Sequence, residues 1–145
     1  MFLGQFEHAL DEKGRLIIPS KYRDEIGSQK LVVTRGLDGN LVVYTEEGFR
    51  AFAEQWMEQL SAGKADYRKL RRFVATNSEN CELDKQGRIL ISNKLREFAG
   101  LTKDVVISGN LSNFEIWNPA RWEEAGDFGD DGDIAAQVES LDIRI

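Results

Sequence analysis

The sequence predicts an α+β protein in which one β-β-α-β-β unit is written twice. The two units fold into an interlocked sheet or barrel with a pseudo-twofold relation and flanking helices. Three observations carry this reading. Residues 6–49 and 79–122 align 73 positions apart without a gap. Each copy places short apolar runs and glycines at the same offsets, which marks strands and turns. A unit of about 45 residues is also too small to bury a generous core alone, so two copies in one chain are expected to fold against each other.

In the first copy, Gln5–Leu10 and Leu16–Ile18 read as strands around a tight turn, with Gly14 where a positive φ is expected. Pro19 suits the first turn of a short helix, Ser20–Ile26, and Gly27 suits its stop. Leu31–Thr34 and Leu41–Tyr44 then pair across Gly36–Asn40. The second copy repeats the plan with a strand to Leu83, a turn at Gly87, strand Ile89–Ile91, helix Lys94–Ala99 stopped by Gly100, and strands Val105–Ser108 and Phe114–Trp117.

A helix follows each copy. Phe49, Phe52, Ala53, Trp56, Met57 and Leu60 form one apolar stripe along Glu46–Leu60, suited to a core or a subunit interface. After the linker Ser61–Gly63, a second helix over Tyr67–Ala75 carries Arg68, Lys69, Arg71 and Arg72, read as partners for Glu54, Glu58 or a neighbouring subunit. Asn118 and Pro119 open a last helix through Glu124. Gly126–Asp133 is acidic and rich in glycine and reads as a flexible linker. Beyond it, Ile134, Val138, Leu141 and Ile145 make a short amphipathic stripe suited to docking on a neighbour. The organisation expected is a first unit with its helix at 1–60, a helical connector at 61–77, a second unit at 78–125 and an acidic, partly flexible tail at 126–145.

Composition narrows the function classes. Apolar residues make up 41% of the 145, ordinary for a globular chain, and no apolar run approaches a membrane span. The N-terminus lacks the basic-then-apolar pattern of a signal peptide. One cysteine, Cys81, and one histidine, His8, argue against a disulfide framework or a structural zinc site and fit a reducing cytoplasm. They align across the copies and read as strand packing positions. The net charge of −6 is uneven: residues 123–145 hold eight acids and one base, while residues 1–122 hold 17 acids and 18 bases. The repeats are nearly neutral and free to focus basic groups on one face.

The motif repeated most strictly is Asp11-Glu12-Lys13-Gly14-Arg15 against Asp84-Lys85-Gln86-Gly87-Arg88. Three readings compete. Two aspartates from duplicated lobes suggest an aspartic-protease dyad, but the Thr or Ser that follows Asp in such enzymes is missing. Alternatively, Asp11 and Asp84 close the turns by accepting backbone N–H bonds, with the arginines neutralising them. Thirdly, with the aspartates fixing the turns, Lys13, Arg15 and Arg88 reach outward to phosphate or guanine edges. Lys21, Arg23, Lys94 and Arg96 on the short helices read as solvated faces rather than phosphate contacts. There is no phosphate-cradling loop motif and no Ser/His/Asp set, so an enzyme is the weakest reading.

The opening MFLGQFEHALDEKGRLIIPSKYR, the later DKQGRILISNKLREFAGL and VVISGNLSNFEIWNPARW closely resemble the MraZ family over about residues 1–124. That resemblance implies two SpoVT/AbrB-like units of double-split β-α-β form. It also implies a cytoplasmic, nucleoid-associated transcription factor acting at the promoter of the division and cell-wall genes. Such proteins assemble as a ring-shaped homo-oligomer on short direct repeats, with no cofactor, no membrane and no small-molecule substrate. Carried over, Asp11 and Arg15 match the family's first signature, and Asp84 and Arg88 match the second. Together with the reading of the turns, the residues expected to contact DNA are Lys13, Arg15, Lys85 and Arg88, while Asp11, Gly14, Asp84 and Gly87 structure the turns. This chain departs from the family in having Ser92-Asn93 where a proline is usual, and Ser92 can cap the helix that follows. Gln86 stands where the first copy has Lys13, which weights DNA contact toward the first copy. The rival to DNA binding is an oligomeric protein- or peptide-binding module whose acidic tail suits a basic partner.

Overall fold

A computed structural model describes residues 1–59 and 63–143. Leu60, Ser61 and Ile145, which the sequence assigns to the first long helix, its linker and the tail stripe, lie outside the described residues. The first copy supplies β1 (Gln5–Ala9), β2 (Arg15–Ile17), α1 (Ser20–Ile26), β3 (Leu31–Arg35) and β4 (Leu41–Thr45), followed by α2 (Glu46–Gln59) and α3 (Ala65–Thr76). The second supplies β5 (Ser78–Cys81), β6 (Arg88–Leu90), α4 (Asn93–Ala99), β7 (Asp104–Gly109) and β8 (Phe114–Trp117), followed by α5 (Pro119–Ala125) and α6 (Asp131–Ser140).

The strands exchange partners between copies. Six of them form an antiparallel sheet in the order β1-β7-β8-β4-β3-β5, and β2 and β6 form a separate ribbon. Of the two expected forms, sheet or barrel, this is an open sheet. The order reads the same from either end once the copies are interchanged. Val42 stands opposite Glu115 at the centre of the sheet, and Leu16 stands opposite Ile89 in the ribbon. Each of these pairs joins a residue to its own equivalent 73 positions on, so the pseudo-twofold axis passes through both. One core cluster results, drawing Leu16, Ile18, Leu41 and Val43 from the first copy and Ile89, Ile91, Phe114 and Ile116 from the second.

The equivalence fails at one strand. Ile107 pairs with Ile116, so strict repetition would set Thr34 opposite Val43; Thr34 stands opposite Val42 instead. On the other side of β3, Glu79 meets Val33, although the equivalent Phe6 meets Ile107. Strand β3 has slid by one residue, and a one-residue slip turns every side chain to the other face. Leu31 and Val33 therefore enter the core in the first copy, whereas Val105 and Ile107 enter it in the second. The reason is legible in the side chains: Leu31 is apolar, while its aligned residue Asp104 is exposed. The hairpin loops absorb the difference, the first closing from Gly36 N–H to the Asn40 carbonyl and the second from Asn110 N–H to the Asn113 carbonyl.

Helix ends follow local chemistry. Pro19 lies just before α1 rather than in its first turn and has no side-chain cap bond to give. Ser92, at the equivalent position, accepts a hydrogen bond from the Leu95 N–H and caps α4. Both short helices end at a glycine with positive φ, +60° at Gly27 and +65° at Gly100. Helix α6 begins inside the stretch expected to be a flexible linker. There the Asp130 side chain accepts from the Asp133 N–H at 2.9 Å while that of Asp133 accepts from the Asp130 N–H at 3.0 Å. Two orphan donors are thus satisfied reciprocally. Among the described residues, no helix is long and apolar enough to cross a membrane.

Candidate nucleic-acid interface

The two repeated motifs fold into the same turn. Asp11 Oδ1 accepts from the backbone N–H groups of Lys13 (2.9 Å) and Arg15 (2.8 Å), and its Oδ2 accepts from Arg15 Nε at 2.6 Å. Asp84 does the same with Gln86 and Arg88, both at 2.9 Å, and with Arg88 Nε at 2.8 Å. Gly14 and Gly87 complete the turns at φ +83° and +76°, as their positions require. The backbone N–H of Arg15, the Arg15 side chain and the Lys13 N–H hold the Asp11 carboxyl below its usual range against the opposing effect of desolvation. Asp84 is lowered by the same three kinds of donor, led by the Arg88 N–H. Each carboxylate thus accepts from three donors of its own turn, the bonding of a turn-closing aspartate.

Each turn is clamped by the opposite copy. The Gly14 carbonyl accepts from the Ile91 N–H at 3.0 Å, and the Gly87 carbonyl accepts from the Ile18 N–H at 2.9 Å. Arg96 on α4 lies against Gly14, and Arg23 on α1 lies against Gly87, so close that a Cβ on either glycine would clash. The Nε atoms of Arg23 and Arg96 are buried without a hydrogen-bond partner. The sequence reading of these two as solvated helix positions is thereby corrected. Each short helix packs across the axis onto the other copy's turn, and no periodicity within one copy reveals that.

Between the turns lies the β2–β6 ribbon. Leu16 and Ile89 point into the core with no exposed surface, while Arg15, Ile17, Arg88 and Leu90 occupy the outer face. Ile17 is 48% exposed and Leu90 59%, large values for aliphatic side chains in a strand. Arg15 and Arg88 are 32% and 22% exposed, and Arg88 Nη1 also approaches Asp11 Oδ2 across the axis at 3.7 Å. Lys13 and Lys85 are exposed on the turns at opposite ends of the ribbon. Arg15 and Arg88 thus share the outer face of the ribbon with two exposed aliphatic side chains, and the exposed Lys13 and Lys85 sit on the turns that lead into its two strands. The sequence reading missed Ile17 and Leu90; the alternation of Arg15-Leu16-Ile17 was the available signal.

Comparison with known proteins fits this geometry. The family model described as "MraZ protein, putative antitoxin-like" matches residues 1–73 and again residues 74–127, a division equal to the repeat spacing. The chain belongs to the MraZ family. It is 52% identical over 124 residues to "Transcriptional regulator MraZ" of Pediococcus pentosaceus, covering 86% of this chain and 85% of that one. The protein of the same name from Lachnoclostridium phytofermentans is 50% identical over 123 residues, 85% of each chain. That from Thermoanaerobacter sp. is 43% identical over 145 residues, 99% of this chain and 100% of that one. The solution structure of PHS018 from Pyrococcus horikoshii matches 80% of this chain and 88% of its own, at 15% identity and a TM-score of 0.33.

Lys69, Arg71 and Arg72 are exposed on α3 and form no ion pair with Glu54 or Glu58 among the described residues. Cys81 is half-buried on β5, and burial, with the charges of Glu79 and Glu82, pushes its thiol up to about 12. It is therefore a poor nucleophile. Among the described residues, no group of three or more His, Cys, Asp or Glu side chains is arranged to hold a metal.

Proposed function

We propose that this chain is a sequence-specific DNA-binding transcriptional regulator and not an enzyme. In this reading it represses the division and cell-wall gene cluster, its own promoter included, by binding short direct repeats as a ring-shaped homo-oligomer. The observation that carries the reading is the paired basic turns, Lys13–Arg15 and Lys85–Arg88, held at the two ends of one ribbon in a chain whose relatives are named transcriptional regulators. The Asp bonds hold each arginine by its Nε, and the guanidinium tip retains donors suited to phosphate or to guanine O6 and N7. A two-stranded ribbon is of a size that the major groove admits, and the exposed Ile17 and Leu90 suit thymine methyl groups.

The strand exchange between copies supports an AbrB-like, double-split β-α-β arrangement. With it goes the division into a first unit to residue 60, a connector to 77, a second unit to 125 and the tail. A ring related by rotation presents every subunit in the same sense, which matches direct repeats, whereas a twofold dimer matches a palindrome. Linked engagement of several repeats raises a weak single-subunit grip by about 10²–10⁴. Such a protein acts in the cytoplasm at the nucleoid and needs no cofactor.

The test is a salt titration of binding to a promoter fragment upstream of the division and cell-wall genes, with wild type and Arg15→Ala compared. Steep salt dependence, requirement for the repeats and loss in the variant at unchanged oligomer size are the expected results. An intact oligomer that fails to bind at low salt would overturn the reading in favour of a protein-binding module.

A further inference from the structure

Helices α2 and α3 form a pair that leaves an open apolar trough of about 200 Å³, lined by Phe52, Trp56 and Met57 on one side and Tyr67, Arg71 and Val74 on the other. Neither helix contains a fully buried residue, and Met57 is 60% exposed. Part of the stripe is used within the chain, since Phe52 stacks on Tyr44 of β4 at 5.3 Å and then meets Trp56 at 4.8 Å. The remainder faces outward. On the α3 side the wall carries one base, the exposed Arg71.

Elsewhere the chain carries a segment with the complementary character. Helix α6 and its C-cap residue place Ile134, Val138 and Leu141 at i, i+4 and i+7, one stripe on one face. Ile134 is 46% exposed, Leu141 64%, and Ile143 just beyond 53%. Around the stripe stand Asp130, Asp131, Asp133, Glu139 and Asp142, and no base lies between Arg121 and Asp142. A capping box preforms this helix, so little ordering cost remains to be met on docking. Among the described residues, Ile134, Leu141 and the apolar trough with Arg71 in its wall stay exposed.

We infer that the trough between α2 and α3 seats helix α6 of a second copy of this chain. Ile134, Val138 and Leu141 enter between Trp56, Met57 and Val74, while Arg71 faces the helix's acids. Apolar burial supplies the attraction and the opposite charges set the register. The contact joins unlike surfaces, so each copy offers one tail and one trough and a chain of such contacts propagates until it closes. The inference rests on the oligomer reading above but makes no use of DNA.

Two single-cysteine chains test it, both carrying Cys81→Ser and retaining wild-type sedimentation, one with Met57→Cys and the other with Val138→Cys. Mixed and mildly oxidised with diamide, they are expected to give a covalent heterodimer, at a yield severalfold above that from Leu37→Cys paired with Val138→Cys. Arg71→Glu on the trough chain is expected to lower the yield severalfold. An oligomer by sedimentation that cross-links no better than the Leu37 control would overturn the tail-in-trough contact while leaving the oligomer standing. A chain carrying both cysteines that closes only an internal disulfide would overturn the second-copy assignment. A monomer by sedimentation would overturn both readings.

Discussion

The guanidinium of Arg96 lies on Gly14 so closely that a Cβ at that glycine would stand 2.6 Å from Arg96 Cζ. The two residues belong to different copies, and the relation is reciprocated by Arg23 on Gly87, where a Cβ would stand 2.5 Å from Arg23 Nη1. The basic turns are thus not free loops. Each is fixed internally by its aspartate and from above by an arginine of the opposite helix.

Gly14→Ala is therefore expected to destabilise the fold through two separable effects, the left-handed φ and the collision with Arg96. Gly27 offers the control, since its φ is +60° but nothing lies within 4 Å of a Cβ there. Gly27→Ala, at φ +60° and ψ −130°, should cost roughly 1–3 kcal/mol from backbone strain alone, and Gly14→Ala should show a steric part besides its own backbone strain by urea denaturation. Adding Arg96→Ala to Gly14→Ala should recover the steric part, which a double-mutant cycle measures as coupling. Additive effects would show that the two residues do not press on each other.

The depressed carboxyls give the turns a defined pH response. An aspartate whose folded pKa lies below its unfolded value, about 3.9, contributes stability that is complete above that value and is lost as pH falls through the lower folded value. Asp11 and Asp84 are both of this kind. Urea midpoints taken from pH 6 down to pH 2.5 should therefore fall for wild type. The gap between wild type and Asp11→Asn should shrink over the same acid range, and a constant gap would contradict the carboxylate-specific role.

Cys81 should be slow to alkylate. A thiol pushed up to about 12 carries about a thousandfold less thiolate at pH 8 than a free cysteine of pKa about 8.5. Iodoacetamide should label it far more slowly in the native protein than in urea. Equal rates in the two conditions would place the thiol in solvent.

The slipped strand makes a prediction that runs against the repeat. Ile107 has no exposed surface, whereas its aligned partner Thr34 sits on the opposite face of the sheet and accepts a hydrogen bond from Ser78 Oγ at 2.9 Å. Ile107→Thr makes the copies more alike in sequence, yet should destabilise by about 2–4 kcal/mol by placing a hydroxyl in the core. Thermal or urea denaturation measures this directly, and a neutral result would mean that β3 and β7 share one register.

Much of this architecture is written in the order of residues. The duplication, the strand and helix sequence of each copy, the glycine stops and the Asp-Gly-Arg turns follow from local rules that need no distant partner. Phe114–Trp117 and Ser20–Ile26 end where their apolar pattern and flanking residues end. The paired basic turns were legible for the same reason: a turn is closed by residues within four positions of each other.

Four things were decided only when the chain folded on itself. The first is which strand pairs with which, since β1 and β5 each join a strand of the other copy. The second is the one-residue slip of β3, which a gap-free alignment conceals because register is set by burial across neighbours. The third is the position of Arg23 and Arg96, which depends on the other copy's backbone. The fourth is the exposure of Ile17 and Leu90, set by a two-stranded ribbon with only one face on the core. Sequence specifies what each segment forms by itself; the shared core specifies where it lies, because only packing between distant segments removes enough apolar surface from water to choose one register over another.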